Sequence, residues 1–299
     1  MAQANVAILE ARGVLAVAGP DRVTFLQGLV SNDVTKIAAD RAIYAALLTA
    51  QGKYLHDFIM MEVGEAIWLD AEAARLADLK RRLSLYRLRA KVEISEQPEL
   101  TVAAVFGDGA LAALDLPEEP GAARLREGAV AITDPRLAAL GARLVADRAH
   151  LARLTTEAPF APADAAEYDR HRLALGIPDG SRDLLPEKSI LLEAGFDELH
   201  GVDWQKGCYV GQELTARTKY RGLIKKRLFP VRIDGPAPAP RTIVLADGKD
   251  CGEMHSVRDG LGLALLRLEA VAANRPFSAD GASVSPLRPD WMRLPDGAI

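Results

Sequence analysis

The chain has 299 residues, 49% of them hydrophobic, and a formal charge of −4. That length accommodates two or three domains and a sizeable core, while the acidic balance excludes a general nucleic-acid binder and leaves local basic patches for anionic ligands. Two cysteines cannot complete a four-cysteine zinc or iron–sulfur site, and so few in so long a chain fit a reducing compartment better than a disulfide-stapled fold.

The opening run "MAQANVAILEARGVLAVAG" is interrupted by Glu10 and Arg12, so it lacks a signal-peptide core. No stretch reaches the roughly 20 apolar residues that span a bilayer. The expectation is a cytoplasmic protein with no membrane partner. Gly13 to Pro20 reads as a buried strand closed by a Gly-Pro turn, and Val23, Phe25, Leu26, Leu29 and Val30 then recur at helical spacing.

"AIYAALLTAQGKYLHDFIMMEVG" predicts two strands around a turn at Gln51-Gly52-Lys53, with His56 and Asp57 on opposite faces of the second. Residues 71–89 predict an amphipathic helix whose apolar positions are Leu76, Leu79, Leu83 and Tyr86 and whose polar face is basic at Lys80, Arg81 and Arg82. "KVEI", "TVAAVFG" and "AVAIT" read as short strands, and "DLPEEPGAARLREG" as an exposed connection. "TTEAPFAPADAAEY" is expected to cross between domains, with a helix after it that stops at Gly176 before Pro178. "DGPAPAPR", Asp234 to Arg241, predicts a stiff boundary ahead of further strands such as "CGEMHSV" and "LGLALLRL".

Chemistry concentrates in "KGCYVGQELTARTKYRG", Lys206 to Gly222. Gly207 and Gly211 allow a tight turn that projects Cys208, and Gln212 and Glu213 suit the first turn of a following helix. A thiol there, near Lys206, is favoured as thiolate; a small buried cysteine is the bland alternative. Arg217 to Arg227 holds six basic residues and no acid, which reads either as a solvated face or as a docking surface for carboxylates or phosphates. His56-Asp57 could share proton chemistry only in a common cleft, and a surface aspartate is the commoner outcome. Glu193 in "LLEAGF" is a carboxylate in an apolar segment, which calls for a partner or a ligand unless it faces solvent. No phosphate-binding glycine loop, dinucleotide fingerprint, metalloprotease helix or serine-nucleophile elbow is present.

The lysine-glycine-cysteine-aromatic-x-glycine-glutamine-glutamate run resembles the YgfZ family of folate-binding proteins, bacterial relatives of the mitochondrial folate-dependent iron–sulfur assembly factor. Their wider superfamily includes the aminomethyltransferase GcvT. Supporting stretches are "GPDRVTFLQGLVSNDV", "YAALLTAQGKYLHDF", "LGIPDGSRDLLPE" and "GEMHSVRDGLGLALLRLE", so nearly the whole chain is covered. The resemblance implies an α+β, three-domain ring around a central folate pocket: residues 1–45 with 158–228, an inserted 46–157, and a small C-terminal β-barrel, 229–299.

The same resemblance implies tetrahydrofolate or a derivative as cofactor, and Glu193, Asp57, Tyr44, Lys206, Gln212, Arg217 and Arg221 as cofactor-binding residues. Cys208 is then a redox or client-contact residue, and Asp57 the candidate for chemistry. The aminomethyltransferases carry Asp-Asp where this chain has His56-Asp57, and they lack the cysteine signature. Gly195 is a departure from the asparagine of many YgfZ-like sequences. The implied function is an accessory protein for assembly, maintenance or repair of iron–sulfur clusters in client enzymes, with folate and iron–sulfur client or assembly proteins, rather than nucleic acid, as the expected partners. The alternative is a folate-dependent aminomethyl or one-carbon transferase.

Overall fold

The computed structural model describes residues 4–126, 128–222 and 224–294. The chain divides into two compact units, one made from residues 1–48, 55–168 and 199–210, the other from 49–54, 169–198 and 211–299.

Two sheets build the first unit. The five-stranded sheet runs, edge to edge, Ile43–Leu48, Tyr54–Val63, Ala66–Glu72, Arg12–Ala18 and Glu93–Glu96. Residues 43–48 and 54–61 are buried without interruption, so both faces of these strands are covered and no polar alternation appears in their sequence. The helix Leu76–Leu85 lays Leu76, Leu79 and Leu83 into the same core as Leu15, Leu26, Phe58 and Met60. It is shorter than the expected 71–89, because residues up to Glu72 continue the strand that pairs with Arg12–Ala18. Tyr86, expected on the apolar face, instead follows the helix and is exposed.

The six-stranded sheet runs Phe160–Ala163, Ala4–Ile8, Leu100–Phe106, Ala142–Asp147, Ala129–Thr133 and Ala123–Arg126. Its one parallel pair, Ala4–Ile8 beside Phe160–Ala163, falls inside the stretch read as a crossing between domains. Proline-flanked edge strands lack the usual strand signal because proline suits only an edge.

In the second unit a six-stranded barrel closes in the order Lys226–Asp234, Leu261–Arg267, Lys249–Arg258, Ile243–Ala246, Phe277–Ala279 and Ala282–Pro286. Lys226–Arg232 pairs antiparallel with Leu261–Arg267. The Pro-Ala segment after Asp234 is therefore a loop inside the barrel, not the boundary before it. Beside the barrel strand Lys249–Arg258, the fully buried Arg172 donates to Asp169 (2.7 Å), Asp183 (2.8 Å), the Ile177 carbonyl (2.9 Å) and Ser256 (3.0 Å). A guanidinium without water is tolerable only when paired this completely.

Gly141 enters the strand Ala142–Asp147 at φ +86°, and an added Cβ would lie 2.1 Å from the Val105 carbonyl oxygen. Both conformation and space demand glycine. Gly141→Ala is expected to cost roughly 2–4 kcal/mol, read as a lowered midpoint in urea unfolding.

Candidate functional site

The cysteine segment is folded by its own acid. Asp203 Oδ1 accepts the backbone N–H groups of Gln205 (2.7 Å) and Lys206 (3.1 Å), while its Oδ2 takes Lys36 at 2.5 Å. Val210 N–H donates to the Gly28 carbonyl at 3.1 Å. Lys206 Nζ then donates to the carbonyl oxygens of Gln27 (2.9 Å), Val30 (2.6 Å) and Asn32 (2.8 Å). These carbonyls end the helix Arg22–Gln27 and the turn after it, where unpaired oxygens and the helix dipole both favour a cation.

Burial pushes the Lys206 pKa down to about 8, so the group is still an ammonium at neutral pH. It also lies 5.0 Å from the centre of the Tyr209 ring. Lys206, expected to favour a neighbouring thiolate and to touch the cofactor, is thus committed to backbone oxygens. Cys208 is exposed and unpaired on the loop that this anchor holds. Cys251, by contrast, is buried in the barrel core.

Asp57 is buried rather than at the surface, and its Oδ2 accepts the Tyr44 hydroxyl at 2.9 Å. Burial first, and the Asp57 charge second, hold the Tyr44 pKa well above its ordinary value, so the phenol keeps its proton. Arg136 sits 5.7 Å from the centre of the Tyr44 ring and binds Asp134 with two nitrogens, at 2.9 and 2.7 Å. Arg143 reaches the same carboxylate at 3.4 Å and the Tyr168 hydroxyl at 3.0 Å.

This second layer, Asp134, Arg136, Arg143 and Tyr168, escaped sequence reading. Its signal was present as charges inside the apolar run "AITDPRLAALGARLVA", which must be paired if buried. His56 faces the other way and bonds Asp78 at 2.9 Å. Burial and Arg75 push its pKa down to about 4, so His56 is neutral and forms no proton couple with Asp57.

In the second unit, Glu193 lies in the short 3-10 turn Leu191–Ala194, where its neighbours Leu191, Leu192 and Ala194 are buried. It lines a small cleft with Asp183, Ser189, Leu228, His255 and Leu265. Its carboxylate has no hydrogen-bond or ion-pair partner among the described residues. Burial raises its pKa, opposed by Lys226 and Lys53. Lys53 is near because the turn 49–54 belongs to this unit, where Tyr54 N–H donates to the Ser189 carbonyl at 3.0 Å.

Gly195 closes the turn at φ +82°, and a Cβ there would meet the Trp291 ring at 2.9 Å. Asparagine tolerates that backbone conformation, so the indole is what demands glycine here. Gln212 opens the helix Gln212–Tyr220, and Arg217 and Arg221 are exposed on it and just after it. Two other members of the basic run are occupied: Lys219 pairs with Asp197, and Arg227 is buried, donating to the Leu192 carbonyl (2.8 Å) and Glu198 (2.6 Å). Of the expected site residues, Tyr44 meets Asp57 and Lys206 shares their unit. Glu193, Gln212, Arg217 and Arg221 belong to the other.

The architecture is that of the aminomethyltransferase fold with its terminal barrel. The glycine cleavage system aminomethyltransferase T of Bartonella henselae superposes with a TM-score of 0.80 at 15% identity, covering 97% of this chain and 87% of that one. Residues 225–294 match the family model described as the CAF17 C-terminal beta-barrel domain. The human mitochondrial iron-sulfur cluster assembly factor IBA57 is 36% identical over 313 residues, covering 95% of this chain and 84% of the relative. The mouse protein is 35% identical with the same coverage.

The chain belongs to the IBA57 family of iron–sulfur cluster assembly factors. YgfZ, the resemblance drawn from the cysteine signature, is a related family. The cytoplasmic expectation is overturned, since these relatives are named as mitochondrial proteins. It rested on the lack of a secretory signal, which leaves other compartments open.

Replacing Lys206 by methionine leaves three carbonyls without their cation and is expected to cost about 2–4 kcal/mol in denaturant unfolding. Limited proteolysis then cuts first within residues 203–210. Glu193 predicts a pH effect of the opposite sign to most carboxylates. A folded-state pKa raised above the unfolded value makes the ionised form a liability at neutral pH, relieved as pH falls through the raised pKa. Glu193→Gln should therefore raise the Tm at pH 7, and the gain should vanish below the ordinary carboxylate range.

Proposed function

We propose that this chain is an accessory factor for the assembly, maintenance or repair of iron–sulfur clusters in client enzymes, and that it binds tetrahydrofolate. The iron–sulfur half is supported by kinship along 95% of the chain with a protein named for cluster assembly. The folate half rests on one observation, the half-buried Glu193 carboxylate, which lines a small cleft and has no partner among the described residues. The pterin of a reduced folate offers several N–H donors along one edge, and a carboxylate shielded from water accepts such donors more strongly than one in bulk solvent.

Tetrahydrofolate, when bound, supplies a reduced ring able to carry one-carbon units. The chain's own residues supply acceptance at Glu193, exposed cations at Arg217 and Arg221 for a carboxylate tail, and an accessible thiol at Cys208 for contact with a client. Tyr44, which keeps its proton, fixes Asp57 and limits that carboxylate as a free base. This arrangement favours an accessory role over one-carbon transfer.

Calorimetric titration with tetrahydrofolate tests the folate half. Glu193→Gln should bind about tenfold more weakly or worse while being at least as stable as the parent. Undetectable binding by the parent protein would remove folate from the proposal. Cys208→Ala should keep parental Tm and folate affinity yet lower the activity of iron–sulfur enzymes in cells that depend on it; unchanged client activity would remove the thiol's role.

A further inference from the structure

The most unusual surface of the first unit lies at the end of the helix Leu76–Leu85. Leu85 is 66% exposed, Tyr86 42% and Leu88 90%, so three large apolar side chains stand in water within four residues. The backbone presents them: Tyr86 N–H caps on the Leu83 carbonyl at 3.0 Å, and a turn closed by Ala90 N–H to the Arg87 carbonyl at 2.7 Å carries Leu88 at φ +41°. Leucine rarely adopts that left-handed conformation.

Charge surrounds the apolar tip. Residues 75–91 hold seven basic side chains and one acid, Asp78, in a chain whose overall charge is negative. Asp78 is taken by Arg81 (2.5 Å) and Arg82 (2.8 Å). The side-chain cations of Lys80, Arg87, Arg89 and Lys91 have no carboxylate partner among the described residues, although the backbone N–H of Lys91 donates to Asp21 at 2.7 Å. The helix's own apolar face is spent on the core through Leu76, Leu79 and Leu83, so the tip serves neither folding nor helix packing.

We infer that this tip is a peripheral docking site for an anionic lipid bilayer, with Leu85, Tyr86 and Leu88 entering the interface and Lys80, Arg87, Arg89 and Lys91 on lipid phosphates. A projecting apolar turn needs a complementary pocket on a protein partner, whereas the headgroup boundary receives it without one. Tyrosine and leucine at the interface, with cations around them, are the side chains this environment selects. The expectation of no membrane partner was argued from spanning segments alone. No helix among the described residues is long and apolar enough to cross a membrane, and surface docking requires none. This inference is independent of the folate and thiol readings.

Sedimentation of the full chain with vesicles tests it, using phosphatidylcholine alone or mixed with anionic phosphatidylglycerol at physiological ionic strength. Binding is expected only to the anionic vesicles. Arg87→Glu with Arg89→Glu should reduce partitioning by about tenfold or more. Leu85→Ser with Leu88→Ser, which keeps every charge, should also reduce it severalfold, and both variants should melt like the parent because none of the four residues is buried. No binding to anionic vesicles would overturn the inference and leave an acidic protein as the occupant. So would binding indifferent to the leucine variant and shared with RNA, which marks a merely basic surface.

Discussion

One ammonium group holds the first unit's most distant pieces in register. Lys206 joins a segment near residue 200 to carbonyls near residue 30, and Asp203 and Val210 add bonds to the same region from either side. The helix Arg22–Gln27 has only six residues, too short to satisfy its own last carbonyls. A cation brought from elsewhere in the chain completes it. The cysteine loop is thereby fixed at its base while Cys208 stays open to solvent, the combination that a contact residue requires.

The buried polar groups divide into two kinds. Around Asp57 the charges are answered within the surrounding layer, with Tyr44, Arg136, Asp134 and Arg143 linked in sequence and one Arg143 nitrogen, Nη1, left without a hydrogen bond. Such a network stabilises geometry and leaves little spare capacity for a ligand. Glu193 is the opposite case, a half-buried carboxylate with no partner among the described residues. Carrying it costs stability, and natural chains retain such costs where binding offsets them.

Much of the scaffold was legible. The strand, turn and helix at the start, the hairpin around Gly52 and the helix stop before Pro178 all follow local rules of periodicity and turn chemistry. Reading failed where long-range pairing overrode local signals: the proline-flanked strand Phe160–Ala163 pairs with residues more than 150 positions away, and residues 71–72 stay in a strand because Arg12 and Gly13 lie opposite. At the site, Cys208 and Glu193 could be singled out from their neighbours in sequence. The partners of Asp57 and Lys206 could not, because carbonyls near residue 30 and a tyrosine thirteen positions upstream are supplied by the fold. The basic run misled in another way, since Arg227 among exposed cations reads as surface until the barrel buries it.

The barrel's closure bears on how the chain is made. Its first strand, Lys226–Asp234, completes the ring by pairing with its last, Ala282–Pro286. During synthesis that first strand leaves the ribosome with buried positions such as Phe229 and Val231 and must wait for some fifty further residues before its second edge is covered. An open apolar edge is a template for wrong pairing. The nascent protein therefore has an interval of exposure to wrong pairing that ends only when residues near 286 emerge.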